Sequence, residues 1–217
     1  MATTTGFHAC SKQFVDRLRD GKLSINDWEF STNAYDWLGD GIYFWEGSLR
    51  RAQEWAREFV VEEAAIIEAE VELGRCFDLT ATDFLDLLSA TYEILKNSYQ
   101  ENNWKLPTNR DLRSGSRWNR SWMQILDRVN AWIYPILTKQ PFLRSTIRPL
   151  RNLDCLVINE FLSLTESNEN PIYYQTVRSP FEEGDFVFPG SMIRRQTHIQ
   201  ISVRDRTCIH PTQFHSV

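Results

Sequence analysis

Two segments of the chain have the alternating apolar and polar period of a β-strand. Apolar residues alternate with Glu68, Glu70 and Glu72 over residues 67–73, which predicts a strand with one charged face toward solvent. The same alternation predicts a strand at 197–203. Runs rich in β-forming residues predict three more strands, at 42–45, 155–161 and 172–177.

Helical periodicity separates these segments. Ser11 is placed to cap a short helix, and Ser48 precedes a stronger one whose apolar positions repeat at i, i+3, i+4 and i+7. A capping-box pattern at Thr80 predicts a third helix, and Ser121 begins a fourth apolar stripe. The helical stretch from about 80 to 150 interrupts the strands, so we expect a helical insertion.

The chain has 217 residues, of which 42% are hydrophobic and 13% aromatic, which indicates one folded domain with a sizeable core. The predicted fold class is α+β. No apolar run is long enough to span a membrane, and the first ten residues lack the pattern of a signal peptide, so we expect a cytoplasmic protein. The four cysteines are widely spaced and form no CxxC pair, so neither a metal site nor a redox motif is predicted.

Charge is distributed unevenly. Residues 105–151 contain ten basic and two acidic residues, a net of +8, and because the whole chain carries −5 the remainder carries −13. Arg113, Arg117 and Arg120 lie among tryptophans in this segment, a mixture suited to phosphates and bases, which makes RNA or DNA a candidate partner. The alternative is that the tryptophans are helix core and the arginines a solvated surface.

Two short motifs at the amino-terminal end suggest a specific chemistry. Gly39 to Phe44 reads Gly-Asp-Gly-Ile-Tyr-Phe, a glycine-bracketed turn that leads into a strand and presents Tyr43. Upstream, His8 is followed by Ala9 and Cys10. A buried hairpin with an aromatic core would explain the turn equally well.

Together these motifs resemble the first two signatures of the ADP-ribosyltransferase fold, in the branch of poly(ADP-ribose) polymerases and diphtheria-type toxins. The resemblance implies a split β-sheet core over residues 1–217, with the helical insertion at about 80–150. It also implies that NAD+ is the substrate, with no metal. His8 would then bond a ribose hydroxyl, Tyr43 would stack on nicotinamide, and Gly41, Ala9 and Cys10 would line the cofactor site. Cys10 is equally well explained as a small buried residue.

The third signature of that branch is usually a glutamate on a late strand. Here the corresponding strand carries His198 and Gln200 instead, on the polar face of 197–203. Gln200, or alternatively His198, would bond the ribose and orient the acceptor. A neutral amide supplies no full negative charge, so the resemblance implies transfer of a single ADP-ribose unit and not chain elongation.

The loop before that strand, residues 178–191, resembles in its placement the segment by which such enzymes recognise their targets. Arg178 is a candidate phosphate ligand because its planar fork matches that geometry, although a surface ion pair would explain it equally well. Phe181 and Glu183 are candidate target-binding residues, with Glu183 orienting the acceptor.

The sequence therefore predicts a mono-ADP-ribosyltransferase that acts on a protein or nucleic acid. By the same resemblance it would be a bacterial toxin or phage-defence effector, with an antitoxin or other neutralising partner and no membrane contact. The alternatives are an NAD glycohydrolase that passes ADP-ribose to water, and a catalytically silent module that binds NAD or ADP-ribose.

Overall fold

The computed structural model describes residues 2–60, 63–109 and 150–217. Over these residues the chain is a mixed α+β structure with one seven-stranded sheet and four α-helices, numbered here in chain order. The strands are β1 Thr3–Ser11, β2 Ile42–Glu46, β3 Ala64–Glu72, β4 Cys76–Asp78, β5 Thr176–Phe181, β6 His198–Val203 and β7 Ile209–Ser216. The helices are α1 Lys12–Arg19, α2 Leu49–Phe59, α3 Thr82–Glu101 and α4 Asn152–Glu166.

The strand order is β4-β5-β6-β2-β1-β3-β7, and every neighbouring pair is antiparallel except β4 and β5. The sheet is hydrogen-bonded from end to end, so the expected split into separate sheets is not observed. The pairing of β1 with β2 is nevertheless short, because it joins only Gly6 to Glu46 and Phe7 to Trp45. Beyond Phe7 these two central strands separate.

The sheet is covered on both faces. On one face, α1 and Trp28 pack against Phe44, Ile67 and Ile201. The opposite face is covered in two places. Near β1 and β3 the helix α2 packs on Phe7 and Ile66, while near β5 the helix α4 packs on Phe77 and Val177. Because successive side chains of a strand point to opposite faces, the register decides which residues share a face.

Several predicted elements are confirmed. The strands expected at 67–73 and 197–203 are β3 and β6, and the helices expected after Ser11 and Ser48 are α1 and α2. The cap expected at Ser11 forms, since Ser11 Oγ accepts a hydrogen bond from Phe14 N at 3.3 Å. Ser48 likewise caps α2, because Ser48 Oγ accepts a hydrogen bond from Arg51 N at 3.4 Å.

Other predicted elements are wrong. The segment 155–161 belongs to helix α4, because Cys155, Ile158 and Leu162 fall on one buried helical face, which a short apolar run does not distinguish from a buried strand. The strand expected at 172–177 begins only at Thr176. Helix α3 begins at Thr82 with Ala81 at its N-cap position, so Thr80 does not cap it. The helix predicted from Ser121 lies outside the described residues.

Strands β4 and β7 were not predicted. Strand β7 is largely polar, and its pairing with β3 along one edge of the sheet is what makes it a strand. It also changes the environment of the glutamates on β3. Glu70 is exposed as expected, but Glu68 and Glu72 are half-buried. Glu68 Oε2 lies 2.7 Å from His215 Nε2, and Glu72 Oε1 lies 3.0 Å from His210 Nε2.

Across the portion of the chain that the structure describes, no helix has both the length and the apolar character needed to cross a bilayer.

Candidate functional site

Tyr43 supports the turn that precedes it. Its hydroxyl accepts a hydrogen bond from Leu38 N at 2.9 Å and donates one to Gly39 O, and its ring packs against the core beneath α4. Burial raises the pKa of Tyr43 well above its ordinary value. The tyrosine is therefore held in one orientation by both its ring and its hydroxyl.

Helix α4 holds the turn at residues 39–41 through hydrogen bonds from Asn159. Asn159 Oδ1 accepts a hydrogen bond from Asp40 N at 3.0 Å, and Asn159 Nδ2 donates to Asp40 Oδ1 at 3.1 Å. Gly39 has φ +73°, and a Cβ there would lie 2.4 Å from Asn159 Oδ1. A Cβ at Gly41 would lie 2.2 Å from Ser202 Oγ. Close packing alone therefore requires glycine at both positions, and a contact between Gly41 and NAD stays a prediction.

His8 bridges β1 and β2 just beyond the point where their pairing ends. Its Nδ1 lies 2.9 Å from Tyr43 O, and its ring contacts Trp28 and Phe44 with centroids 4.7 and 5.5 Å apart. Because a carbonyl oxygen only accepts, Nδ1 carries the proton and Nε2 is left as an acceptor. Burial lowers the pKa of His8 to about 4, so the imidazole is neutral at pH 7.

The two residues after His8 are packed inside the protein. Ala9 is buried under α2. The thiol of Cys10 lies 3.8 Å from Ala65 O, and burial raises its pKa to about 12. Ala9 is buried and Cys10 is half-buried, and their contacts with NAD stay predictions.

The polar face of β6 lies beside Tyr43. In the sheet register Ser202 pairs with Tyr43 and Gln200 with Trp45, so Tyr43, His198 and Gln200 lie on the same face of the sheet. Phe7 is the residue that pairs with Trp45, and His8 is one position further along β1, so its side chain lies on the opposite face of the sheet. It therefore meets Tyr43 through the backbone carbonyl.

His198 holds the side chain of Gln200. The imidazole is 1% exposed, and burial lowers its pKa to about 4. His198 Nδ1 donates to Gln196 O at 2.6 Å, so Nε2 of the neutral ring accepts from Gln200 Nε2 at 3.1 Å. This bond turns the amide nitrogen of Gln200 toward His198 and leaves Oε1 as the outward acceptor.

A half-buried ionic network surrounds these two residues. Arg51, in the first turn of α2, donates to Glu54 and to Glu183 Oε2, the latter at 3.0 Å. Glu183 Oε2 is 3.9 Å from His198 Nδ1, and Gln196 Nε2 donates to Glu54 at 3.4 Å. The network ties the segment between β5 and β6 to helix α2, next to Gln200.

Aromatic rings close the other side of His198. Phe181 contacts Trp37 edge-on with centroids 4.7 Å apart. The centroid of the His198 ring lies 6.0 Å from that of Phe181 and 6.3 Å from that of Trp37. Arg151 Cζ lies 5.2 Å from the centroid of Trp37. Phe181 is thus buried at the base of the segment that was expected to contact a target.

Arg178 lies elsewhere. Its guanidinium donates to Glu46 at 2.7 and 3.2 Å and to Asp78 at 2.9 Å, and it pairs in register with Ile201, on the opposite face to Gln200. Two carboxylates thus already pair with the guanidinium through three hydrogen bonds. The geometry matches the alternative of an ion pair, and the predicted phosphate contact stays a prediction.

The structure therefore brings His198, Gln200 and Glu183 into contact and places Tyr43 on the same face of the sheet as His198 and Gln200. His8 is joined to the backbone of Tyr43 by one hydrogen bond, and Arg178 lies on the opposite face. Arg113, Arg117 and Arg120 lie outside the described residues. Sequence reasoning missed Arg51, Glu54 and Asn159. The i, i+3 pair of opposite charges at the start of α2 is a signal that could have identified the first two. Asn159 gave no signal, because its segment was predicted as a strand.

Within residues 2–60, 63–109 and 150–217, no group of three or more histidine, cysteine, aspartate or glutamate side chains is placed to hold a metal ion. No protein-family model matches the chain, and neither the curated proteins nor the solved structures that were searched include a match.

Proposed function

We propose that this chain is a mono-ADP-ribosyltransferase that cleaves NAD+ and transfers one ADP-ribose unit to a macromolecule. One observation carries the proposal: His8, Tyr43 and Gln200, which are far apart in sequence, lie on the adjacent strands β1, β2 and β6. His8 and Tyr43 also meet directly, at 2.9 Å, where β1 and β2 separate. The sequence resemblance puts its three motif residues on three different strands, and the placement of His8, Tyr43 and Gln200 supports the proposal in that respect.

The reaction replaces one bond at C1′ of the ribose by another. The bond from C1′ to the nicotinamide nitrogen breaks, and its electron pair neutralises the pyridinium ring. A nucleophile of the acceptor gives an electron pair to C1′ and loses its proton to solvent or to a neighbouring base. Positive charge develops on the ribose, as in glycoside cleavage, so the protein must fix the ribose and stabilise that charge.

Two side chains are suited to binding the nicotinamide riboside. Tyr43 is held by its hydroxyl and by core packing, so its ring offers a rigid aromatic surface for stacking. Because His8 lies on the opposite face of the sheet from Tyr43, the riboside would have to enter the gap where β1 and β2 separate; there a ribose hydroxyl would donate to His8 Nε2, which is an acceptor in the neutral ring. Both residues are pre-organised before the substrate binds, which lowers the entropic cost of binding.

Gln200 is the better candidate for the third site residue. Both ring nitrogens of His198 are engaged and its imidazole is 1% exposed, whereas Gln200 is only half-buried and keeps Oε1 as an acceptor. In this proposal Gln200 Oε1 accepts from the ribose, and His198 positions Gln200.

The carboxylate of Glu183, which lies beside His198, is the candidate for activating the acceptor. Glu183 approaches His198 Nδ1 to 3.9 Å and is ion-paired with Arg51. The carboxylate reaches this place from the segment after β5, and not from β6 as in the common pattern. In this proposal Glu183 orients the nucleophile, and the absence of a glutamate from β6 limits the reaction to single transfers.

The test is incubation of the purified chain with NAD labelled in the adenylate moiety, together with a lysate. We expect label on macromolecular material, and loss of that label in Gln200→Ala. Release of free ADP-ribose without macromolecular label would replace the proposal by a glycohydrolase. Neither product, with NAD binding retained in a calorimetric titration, would replace it by a silent binding module.

A further inference from the structure

Arg151, at the N-cap position of helix α4, lies over two aromatic rings that border the candidate site. Its Cζ atom is 5.2 Å from the centroid of the Trp37 ring and 5.8 Å from that of the Phe181 ring. A guanidinium is attracted to the face of an aromatic ring by its positive charge. The two rings therefore fix where this cation lies before any ligand binds.

The same two rings are the neighbours of His198, which holds Gln200. Phe181 pairs with His198 in the register of β5 and β6, so the two side chains lie on one face of the sheet. The Trp37 ring is stacked on the imidazole, with centroids 6.3 Å apart. The guanidinium of Arg151 therefore lies on the His198 side of Gln200, with the imidazole and the ring pair between them.

The guanidinium of Arg151 keeps most of its hydrogen-bonding capacity. Within residues 2–60, 63–109 and 150–217, the acceptor that engages it is Asp154 Oδ2, at 3.4 Å from Nη1, which is long for a charged pair. The other oxygen of Asp154 accepts from Asn109 Nδ2 at 2.6 Å. Because the side chain of Arg151 is 32% exposed and carries further N–H donors, an acceptor from solvent can reach them.

Other arginines near the site are placed differently. Arg51 is 13% exposed and pairs with two carboxylates, and Arg178 pairs with two carboxylates on the opposite face of the sheet. Arg195 is exposed and donates to Val187 O, in the segment between β5 and β6. Arg151 combines an accessible guanidinium with direct contact to the rings beside His198, so it is the best-placed cation for an anionic group next to Gln200.

We propose that Arg151, held over Trp37 and Phe181, binds the pyrophosphate of NAD. The planar fork of a guanidinium matches two phosphate oxygens, and a phosphate joined through C5′ to a ribose at Gln200 would lie close to that ribose. The inference rests on the proposed transferase function and assigns a residue to a part of its substrate. Arg151 then contacts the substrate but not the reacting atoms at C1′, so it governs binding more than the rate of cleavage.

The experiment measures dissociation constants of wild type and Arg151→Met by calorimetric titration with NAD, ADP-ribose and nicotinamide riboside. Methionine keeps a flexible apolar side chain over the rings but removes the charge and the donors. We expect Kd for NAD and for ADP-ribose to rise about ten-fold or more, because hydrogen bonds to a charged group are lost. Kd for nicotinamide riboside, which has no phosphate, should change less than about two-fold.

Arg19→Met is the matched control. Arg19 Cζ also lies 5.2 Å from an aromatic centroid, that of Phe214, and its Nη1 is 3.8 Å from Asp16 Oδ1. It lies at the end of α1, which covers the other face of the sheet, so this variant should bind all three ligands as wild type does. Arg195→Met tests the exposed arginine in the segment between β5 and β6, and we expect a smaller effect on ADP-ribose than in Arg151→Met.

The possible failures are distinguishable. An unchanged Kd for ADP-ribose in Arg151→Met, an equal rise in Arg19→Met, a larger rise in Arg195→Met, or a parallel rise for nicotinamide riboside would each overturn the assignment while the transferase proposal stands. Weaker binding of a single-stranded RNA oligonucleotide, with ADP-ribose unaffected, would assign Arg151 to a phosphate of the acceptor instead. If ADP-ribose binds through Arg151 but NAD is neither cleaved nor transferred, the transferase proposal fails and the subsite stands. If wild type binds neither NAD nor ADP-ribose, both fail.

Discussion

At the scale of single residues, His198 and Gln200 of β6 differ in burial and in hydrogen bonding. His198 is buried, neutral and bonded through both ring nitrogens, whereas Gln200 keeps an outward acceptor. Residues two apart on a strand share a face, so the sequence favoured Gln200 but left His198 as an alternative. In the proposed function, Gln200 would therefore meet the substrate and His198 would position Gln200.

For Gln200→Ala we expect kcat/KM for NAD cleavage to fall on the order of 10²-fold, the loss typical of one well-placed transition-state hydrogen bond. His198→Ala should cost less activity but more stability, because it empties a buried site between Phe181 and Trp37. Steady-state kinetics and urea unfolding of both variants test this. A His198→Ala enzyme that is more damaged than Gln200→Ala, at equal stability, would reverse the assignment.

Tyr43 also combines two roles, since its ring packs in the core and its hydroxyl holds the turn. Tyr43→Ala would remove both, so loss of activity in that variant would not separate stacking from folding. Tyr43→Phe keeps the ring and leaves Leu38 N without its partner, so we expect a loss of about 1–3 kcal/mol in the free energy of unfolding. Cleavage of NAD should persist with a raised KM, and a Phe variant with wild-type stability would contradict the hydrogen bonds described here.

At the scale of elements, helix α4 controls the turn that leads into β2. Asn159 makes two hydrogen bonds to Asp40, from a helix separated from the turn by more than one hundred residues. Helix α2 has an equivalent role on the other side, since Arg51 holds Glu183 beside β6. Both contacts connect the ends of central strands to helices that cover the sheet.

Asn159→Leu, which keeps the volume but neither hydrogen bond, should lower the free energy of unfolding by about 1–3 kcal/mol because Asp40 N loses its partner. We expect the KM for NAD to rise more than kcat falls, because the turn that positions Tyr43 is loosened while the chemistry is untouched. Ser163→Ala, one turn further along the exposed side of α4, is the control and should behave as wild type. Equal kinetic constants in Asn159→Leu and the control would refute the positioning role.

At the scale of the whole molecule, two buried histidines make stability depend on pH. Burial lowers the pKa of His8 and of His198 from 6.5 to about 4, so the unfolded chain binds more protons than the folded one between these values. The stabilisation is therefore complete above about pH 6.5 and is lost as pH falls toward 4. Over the full window each group contributes about 3 kcal/mol, at 1.36 kcal/mol for each pKa unit.

We expect the free energy of unfolding, measured with urea at half-unit steps from pH 7 to 4.5, to decline steadily. His8→Phe should keep an aromatic ring between Trp28 and Phe44 and should roughly halve the slope, with the remaining half due to His198. The carboxylates of Glu54 and Asp78 have pKa values lowered from 4.5 and 3.8, so their contribution is lost mainly from about pH 4.5 downward, and the slope between pH 6.5 and 5 is chiefly that of the histidines. An unchanged slope in His8→Phe would show that His8 is not buried as described.

The sequence by itself determined the features that depend on near neighbours. The period of two over 67–73 and 197–203, the capping serines at 11 and 48, and the apolar stripe of α2 each involve residues only a few positions apart. The candidate strands with Tyr43 and Gln200 were therefore predictable. Helix α4 was not, because a short buried apolar run has no period that separates helix from strand.

Only the tertiary structure decided which distant residues meet. It turns His8 away from the face shared by Tyr43 and Gln200, binds Arg178 to two carboxylates, and brings Asn159 to Asp40 and Arg51 to Glu183. A register shift of one position would exchange the two faces of a strand while leaving its own alternation unchanged. Such contacts depend on how the whole chain packs, because the pairing of strands and the closure of long loops are set by burial across the entire sheet and not by any local pattern.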